Sequence, residues 1–366
     1  MMARTVPLAH RNLLAEPRRL VAAAAALGMA LMLILLTDGL WEGIKASVTT
    51  YEDNVGADLF VAQPGTRNFF GAISVIPDST VQAVRADPDV EWAAPVRGFF
   101  AIVEYHDKKV PTYVIGSVPG ARGGPWAVLE GRAPVADDEI AIGRVAARRH
   151  GLGVGERLDV MGRRFTVVGT TSDAFMASFV FMTHRATDDL LRSPGTTSFV
   201  LVGTDRPEDV RRRLRADGFA VLDAEQLGRN DLSLMTRAYE VPLGIMRGVA
   251  FAIGSLVIAL TTYTAILERR REYGIVKAIG ARGWFLLALT MRQTMIVSAV
   301  GLLAGGVFFL GARAVIASVR PQFVILATAR SVGQAVGAAL LMGLIASVVP
   351  ARRLARLEPA VAYGGA

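Results

Sequence analysis

The chain has 366 residues, no cysteine, 52% apolar residues and a mean hydropathy of +0.40. That balance is too apolar for an ordinary soluble enzyme and too polar for an all-membrane bundle, so part of the chain sits in lipid and part in water; the missing thiols exclude a disulfide framework, a cysteine zinc site and a thiol nucleophile. Residues 42–240 carry 23 Lys/Arg against 27 Asp/Glu, a net of −4, and the rest 17 against 5, a net of +12, so the positive charge flanks greasy segments and does not form the field of a nucleic-acid-binding domain.

Residues 1–20 form a cytoplasmic N-terminal segment with Arg4, Arg11, Arg18 and Arg19. The run 21–41, VAAAAALGMALMLILLTDGLW, has the roughly 20 apolar residues that a transmembrane helix needs. Its charged lead is long and no small-x-small cleavage site follows, so it is expected to stay as the first span and not to be removed as a signal peptide.

Residues 42–240 are long enough for a core of their own and alternate strands with helices, the pattern of an α+β domain. GADLFVAQPG (56–65) predicts a strand ending in a turn, and DSTVQAVRADPDV (78–90) a short helix capped by Asp78 or Ser79. FFAIVEYHDKKVPTYVIGS (99–117) predicts a hairpin with HDKK near its tip. Residues 138–170 read strand, helix, turn, strand, turn, strand, and PEDVRRRLRADG (207–218) an amphipathic helix ending at glycine. GLGVGE (151–156) has no strand leading into it and no following G-K-[ST], so it reads as a turn and not a phosphate loop. RRRLR (211–215) reads as a solvated helix face, with Val210 and Leu214 on the apolar side. His10, His106, His150 and His184 are scattered and form no H-x-x-x-H pair, so no metal site is expected, and no catalytic constellation is visible. Two apolar stretches have open roles: NFFGAISVIP (68–77) is a loop over the core or a surface for lipid or greasy cargo, and AFMASFVFM (174–182) a buried strand or such a surface.

Three more spans follow: 242–267, 294–319 and 331–349, with a cytoplasmic tail over 350–366. Gly301 with Gly305 and Gly333 with Gly337 recur at helical spacing, which suits either a helix or subunit interface or ordinary packing within the chain. Arg247 and Arg313 lie near outer ends, where an arginine can snorkel. The short flanks richest in Lys/Arg are the start, the connection between spans two and three, and the tail. By the positive-inside rule these are cytoplasmic and 42–240 lies outside.

The connection 268–293 opens with LERRREYGIVKAIGAR (267–282). Its charges, Glu268, Arg269, Arg270, Arg271, Glu272 and Lys277, suit a membrane surface. On a helix, Tyr273, Val276 and Ile279 or Gly280 share one face, and Gly280 suits a C-cap. Such a helix either lies in the headgroup layer or inserts into a partner's groove.

This run resembles the coupling segment of the MacB/FtsX family of ABC-transporter permeases, E-R-x-R-E-x-G-x-x-K-A-x-G-A. Glu268, Arg269, Arg271, Glu272, Gly274, Lys277, Ala278, Gly280 and Ala281 match it. The tail PARRLARLEPAVAY (350–363) is similar to the family's P-A-x-R-A-x-x-x-x-P-x-x-A, with Leu354 where Ala is frequent. LEGRAPVADDEIAIGRVAARRHGLGVGERLDVMGRRFTVVG (129–169) resembles the family's G-R-x-P…E…L-G-x-x-x-G…V-x-G stretch. VGADLFVAQPG (55–65) and the terminal YGG (363–365) resemble DevC-type exporter permeases.

The resemblance implies four transmembrane α-helices with a large extracytoplasmic α+β domain between the first two, in the bacterial cytoplasmic membrane. It implies a non-catalytic half without cofactors: no G-x-x-x-x-G-K-[ST] occurs in the chain, so ATP and Mg are expected on a separate ATPase subunit. Expected partners are that ATPase, a second permease copy (identical or sibling), membrane lipid, and an extracytoplasmic adaptor or hydrolase, with no nucleic acid. Tyr273, Ile275, Val276 and Ile279 would fill a groove on the ATPase. The cations would pair with its acidic residues or with lipid phosphates, and Gly274 and Gly280 would permit a tight entrance and exit. The function implied is mechanotransmission in an exporter of a hydrophobic or amphipathic molecule. Its alternatives are an FtsX-like signal transmitter that switches on a cell-wall hydrolase, and a membrane sensor without an ATPase.

Overall fold

The structure, a computed structural model, describes residues 17–71, 73–105, 108–173, 179–268, 271–272, 275, 283–320 and 323–355. In chain order the elements are α1 (Pro17–Val48), α2 (Thr50–Asn54), β1 (Leu59–Ala62), β2 (Ile76–Pro77), α3 (Ser79–Arg85), β3 (Trp92–Tyr105), β4 (Lys108–Ser117) and β5 (Val128–Gly131). There follow β6 (Glu139–Gly143), α4 (Arg144–His150), β7 (Arg157–Val160), β8 (Arg163–Thr171), β9 (Phe179–Thr183), α5 (His184–Leu191), β10 (Thr196–Thr197), β11 (Phe199–Gly203), α6 (Pro207–Ala216) and β12 (Ala220–Leu222). Three long helices close the chain: α7 (Ala224–Glu268), α8 (Gly283–Val319) and α9 (Ala329–Ala355). The chain divides into two units, Met1–Glu42 with Val241–Ile316 and Ile325–Ala366, and Gly43–Glu240 with Ala317–Val324.

The first unit is helical. α1, α7, α8 and α9 are each long and apolar enough to cross a membrane. Leu27, Leu31 and Ile34 of α1 pack with Ala250 and Ile258 of α7 and Ala339, Met342 and Ala346 of α9. Many other apolar side chains, such as Leu256, Leu303 and Leu340, face outward, the distribution lipid allows and water penalises. Small residues set the closest approach: a Cβ added at Gly305 would stand 3.0 Å from the Gly28 carbonyl oxygen, and one at Gly301 2.5 Å from Leu27. That glycine pair therefore serves packing within the chain. Gly333 and Gly337 of α9 meet no atom within 4 Å among the described residues. Arg247 is not a lone cation: it donates to Asp38 of α1 at 2.8 Å, and Asp38 is buried. A charge in an apolar bundle is held by an opposite charge on a neighbouring helix.

Helix bounds differ from the sequence expectation in one direction. α7 begins 18 residues before the expected second span and passes through Pro242 without breaking. At 1.5 Å per residue its 45 residues extend about 68 Å, against a hydrocarbon core of about 30 Å. The polar stretch 224–241 hid this helix from a hydropathy reading. Likewise α8 starts at Gly283, so residues 283–293, assigned by sequence to the coupling segment, are continuous with the third span, and α9 runs to Ala355, into the expected tail.

The second unit is built on two β substructures that share strand β3. In the first, β12, β1, β11 and β3 lie side by side, every pair antiparallel. With α3 after β1 and α6 after β11 this is the split β-α-β arrangement of ferredoxin-like sheets. Period-two alternation gives each face its own core: Leu59 and Val61 of β1 join Val81, Val84, Val210 and Leu214 of the helices, whereas Phe60 and Ala62 face Tyr51, Phe69 and Leu227. In the second, β3, β4, β9, β6, β8 and β7 pair in a closed ring, β7 returning to β3 through Val103 and Glu104. Its interior holds Val103, Val114, Ile140, Ile142, Phe165, Val167 and Val180. Closure removes the exposed edges an open sheet would leave.

The expected elements over 138–170 form as β6, α4, β7 and β8. GLGVGE is a turn, with Gly151 as the left-handed C-cap of α4 (φ 64°). Asp78 stands at the N-cap of α3 but its side chain makes no capping bond. RRRLR is not simply a solvated face: Arg211 is buried between Glu208 (2.9 Å) and Asp223 (2.8 Å), and Arg213 bridges Asp87 (2.7 Å) and Asp89 (2.6 Å). Asp223 after β12, and Asp87 and Asp89 in the turn after α3, tie these two arginines to segments outside the helix.

The G-R-x-P…E run is a structural clamp. Arg132 forms a forked ion pair with Glu139, which also accepts from the Val135 and Ala136 amides at 3.0 and 3.1 Å. These donors, the Arg132 side chain foremost, hold the Glu139 pKa down at about 2. The Arg132 amide donates to the Val168 carbonyl, and Gly131 sits at φ 72° where an added Cβ would lie 2.1 Å from that same oxygen. Gly131→Ala is expected to cost about 2–4 kcal/mol of stability through left-handed strain plus the backbone clash; denaturant unfolding of the intact protein measures it, and a loss under 0.5 kcal/mol contradicts the account.

Candidate functional site

The loop that follows β1 places two phenylalanines under a surface cavity. Their backbone amides are fixed by one carboxylate: Asp231 of α7 accepts from Phe69 N at 2.7 Å and Phe70 N at 3.2 Å and is fully buried. Asn230 donates to the Arg67 carbonyl at 2.9 Å, and Gly71 lies so close to Leu234 that a Cβ there would stand 2.5 Å from it. Phe69 then stacks between Tyr51 (4.8 Å) and Phe199 (5.0 Å), and Phe70 meets Tyr113 edge-on at 4.8 Å. Tyr113 Oη donates to the Phe69 carbonyl at 2.9 Å.

Beyond Gly71 the same loop turns outward. Ile73 is 91% exposed and Val75 50%, and across from them Phe100 of β3 is 57% exposed. Between them lies a cavity of about 430 Å³, walled by Phe70, Ile73, Val75, Phe99, Phe100 and Leu191 and floored by Arg97, Tyr113, Ser193 and residues 196–198. Of the stretch 68–77, Phe69, Phe70 and Ile76 are core, as a loop over the core requires, while Ile73 and Val75 are exposed. Of 174–182, the part in β9 is buried throughout, and residues 174–178 lie outside the described residues.

Below the cavity floor lies a charge cluster that sequence spacing gave no hint of. Buried Arg97 pairs with Asp188 at 2.9 Å and donates to the Ser193 carbonyl at 3.0 Å and to Thr196. His184 lies between Asp78, 3.9 Å from Nε2, and Asp188, 3.8 Å from Nδ1. Asp78 and His184 are 106 positions apart, which is why a search for local histidine pairs passes over them. Burial pushes the His184 pKa down against the pull of Asp188 and Asp78. The two carboxylates address opposite ring nitrogens and Arg97 already holds Asp188, so the arrangement suits a charge cluster better than a cation site.

A second buried carboxyl lies beside the aromatic group. Glu52 is buried, and neither oxygen finds a side-chain hydrogen-bond partner among the described residues. Burial raises its pKa well above 4.5, with Asp231 and Asp53 adding repulsion.

Of the coupling residues expected from sequence, Glu268 ends α7, and Arg271, Glu272 and Ile275 are helical. Arg269, Arg270, Tyr273, Gly274, Val276, Lys277, Ala278, Ile279 and Gly280 lie outside the described residues.

Comparison with known proteins gives two family matches: the MacB-like periplasmic core domain over residues 20–217 and the FtsX-like permease C-terminal domain over 244–359. An uncharacterized ABC transporter permease of Mycobacterium tuberculosis is 27% identical over 364 residues, covering 98% of this chain and 99% of its own. A pyoverdine export ATP-binding/permease protein of Pseudomonas savastanoi pv. phaseolicola is 26% identical over 374 residues, covering 92% of this chain and 55% of its own. Among solved structures, the periplasmic region of MacB from Actinobacillus actinomycetemcomitans aligns with a TM-score of 0.38 and 11% identity over 48% of this chain and 94% of that one.

The linkage sign for Glu52 follows from its raised folded-state pKa. Its contribution is complete below 4.5 and is lost as pH climbs from there toward the folded value, because only the unfolded chain then ionises. Glu52→Gln should therefore raise the thermal midpoint at pH 7.5 by about 2–4 °C, and the gain should vanish near pH 4; a fall in the midpoint at pH 7.5 would contradict the assignment.

Proposed function

The chain belongs to the MacB/FtsX family of ABC-transporter permeases, and from that premise we propose that it is the non-catalytic permease subunit of an ATP-driven exporter that works by mechanotransmission. It is a multi-pass membrane protein with a large domain between its first and second spans. In this reading a separate ATPase binds ATP and Mg and engages the coupling segment on the cytoplasmic side. Residues 42–240 act outside, where an adaptor protein can engage them.

The observation that carries the reading is the continuity of α7. One uninterrupted helix ends at Glu268, where the coupling segment begins, and starts at Ala224, beside the core of the outer domain. Leu227 and Asp231 on its first turns belong to that core. Pro242 removes one hydrogen bond from α7, and in this reading a push at the Glu268 end travels along the rest of the helix to the Phe69–Phe70 loop. The cavity wall is built on that loop, so displacement of α7 would reshape the wall. Export is favoured over hydrolase switching by this apolar cavity and by a relative named for pyoverdine export.

The family works with two permeases. The open face of Gly333 and Gly337 gives a second copy or sibling a place for close helix contact.

On the ATPase side, Tyr273, Ile275, Val276 and Ile279 supply apolar contact, and Arg269, Arg270, Arg271 and Lys277 supply charge. The double substitution Val276→Asp with Ile279→Asp should lower co-purification of the cognate ATPase at least about tenfold, while the protein still inserts in the membrane. Undiminished ATPase binding and stimulation by that variant would sink the proposal.

A further inference from the structure

The chemistry of the cavity narrows what it can hold. Its volume, about 430 Å³, falls within the range of small-molecule sites. Its walls are Phe70, Ile73, Val75, Phe99, Phe100 and Leu191. Polar side chains do line the floor, but each already has a partner inside the protein. Arg97 is held by Asp188, the Ser193 carbonyl and Thr196. Tyr113 donates to the Phe69 carbonyl, and Ser193 and Thr196 share a 2.9 Å hydrogen bond. Ser198 lies against the amide and carbonyl of Gly98, Thr197 donates to the Val96 carbonyl, and Ser74 accepts from the Gln63 amide. A carboxylate or phosphate entering the cavity would lose its water for at most the Ser74 hydroxyl hydrogen, since Ser74 is an acceptor toward Gln63 and the other side chains spend their donors inside the protein, and the Arg97 charge is already neutralised by Asp188. A hydrocarbon loses nothing there.

We propose that this cavity is a binding site for the aliphatic chain of a single-chain amphiphile, whose polar head stays in water beyond Ile73 and Phe100. Those two side chains, 91% and 57% exposed, form an apolar lip that a chain entering from water would cover. The volume suits one chain and is small for a two-chain phospholipid. This assignment rests on the exporter reading only for its purpose; the binding itself needs neither ATPase nor nucleotide.

The test is photolabelling of the intact protein in phospholipid nanodiscs, without ATPase or ATP, followed by peptide mapping. The probe is dodecan-1-ol carrying a diazirine near its methyl end, compared with nanodiscs made from a diazirine-tagged two-chain phospholipid. The expected result is dodecanol label on peptides containing residues 69–75, 97–100 or 191–198, and phospholipid label on the four long helices only. Ile73→Asp and Phe100→Asp should each lower the cavity label at least about fivefold. Both positions are exposed, although the Phe100 ring also meets Tyr113 at 5.0 Å, so thermal unfolding of each variant checks that the fold is kept, and Val154→Asp, also exposed but away from the cavity, should leave the label unchanged. Dodecanol label confined to the long helices, cavity label indifferent to Ile73→Asp and Phe100→Asp, or phospholipid label in the cavity would each overturn the proposal. Loss of the site with ATPase association intact removes the amphiphile assignment alone. Failure of ATPase association with the site intact removes the exporter reading alone.

Discussion

The loop that carries Phe69 and Phe70 depends on one buried carboxylate. Asp231 projects from a long helix beside the aromatic cluster around Phe69 and accepts the amides of two consecutive loop residues, Phe69 and Phe70. Without it those N–H groups would be buried and unpaired, a cost of about 1–3 kcal/mol each. With it, an irregular loop has a fixed floor, and Phe69 can stack between Tyr51 and Phe199 while Phe70 turns toward Tyr113. The cavity, its exposed lip and the connection to α7 all follow from that arrangement. Burial pushes the Asp231 pKa up to about 6 against the pull of those two amides, and it raises that of Glu52 as well, whose oxygens lack side-chain partners among the described residues.

The rest of the domain is held by ties between elements distant in sequence. Arg97 joins β3 to the chain leaving α5, Arg213 joins α6 to the turn after α3, and Arg132 with Glu139 closes the connection from β5 to β6. Half-exposed pairs such as Arg213 with its two aspartates contribute little individually. Their role is to fix register and approach between elements whose apolar faces would pack in several ways.

Much of this was legible in the sequence because it is local. Apolar runs of 20 residues mark spans, alternation marks strands such as β1, and glycines mark the turn after α4. The motif stretches were legible too, although what the G-R-x-P…E run does was not: its conformational reason is the contact of Gly131 with Val168, and no spacing rule links residues 37 apart. Asp231 could not be found from sequence because it sits in a polar stretch, 224–241, that lacks the apolar signal of a span and was given no helix. The Asp78, His184 and Asp188 cluster was invisible for the same reason, being assembled by the fold from α3 and α5. Asp38 was passed over as a lone acid at the end of an apolar run, and it is Arg247 on another helix that gives it meaning.

The sharing of β3 has a consequence for how such a domain can diversify. The closed ring of strands is an insertion between β3 and β11, two neighbouring strands that are hydrogen-bonded from Trp92 to Val96. Its departure and return points therefore lie side by side, and a split sheet of ferredoxin-like topology would remain if the insertion changed in length or shape. The cavity is at that seam: Phe99 and Phe100 lie where β3 leaves the split sheet, and Leu191, Ser193 and residues 196–198 lie where the chain comes back. Selection acting on the insertion can thus remodel the walls that meet a ligand while Asp231, Phe69 and the helix behind them stay as they are. The walls of the cavity and the anchor behind them can then vary independently within a single chain.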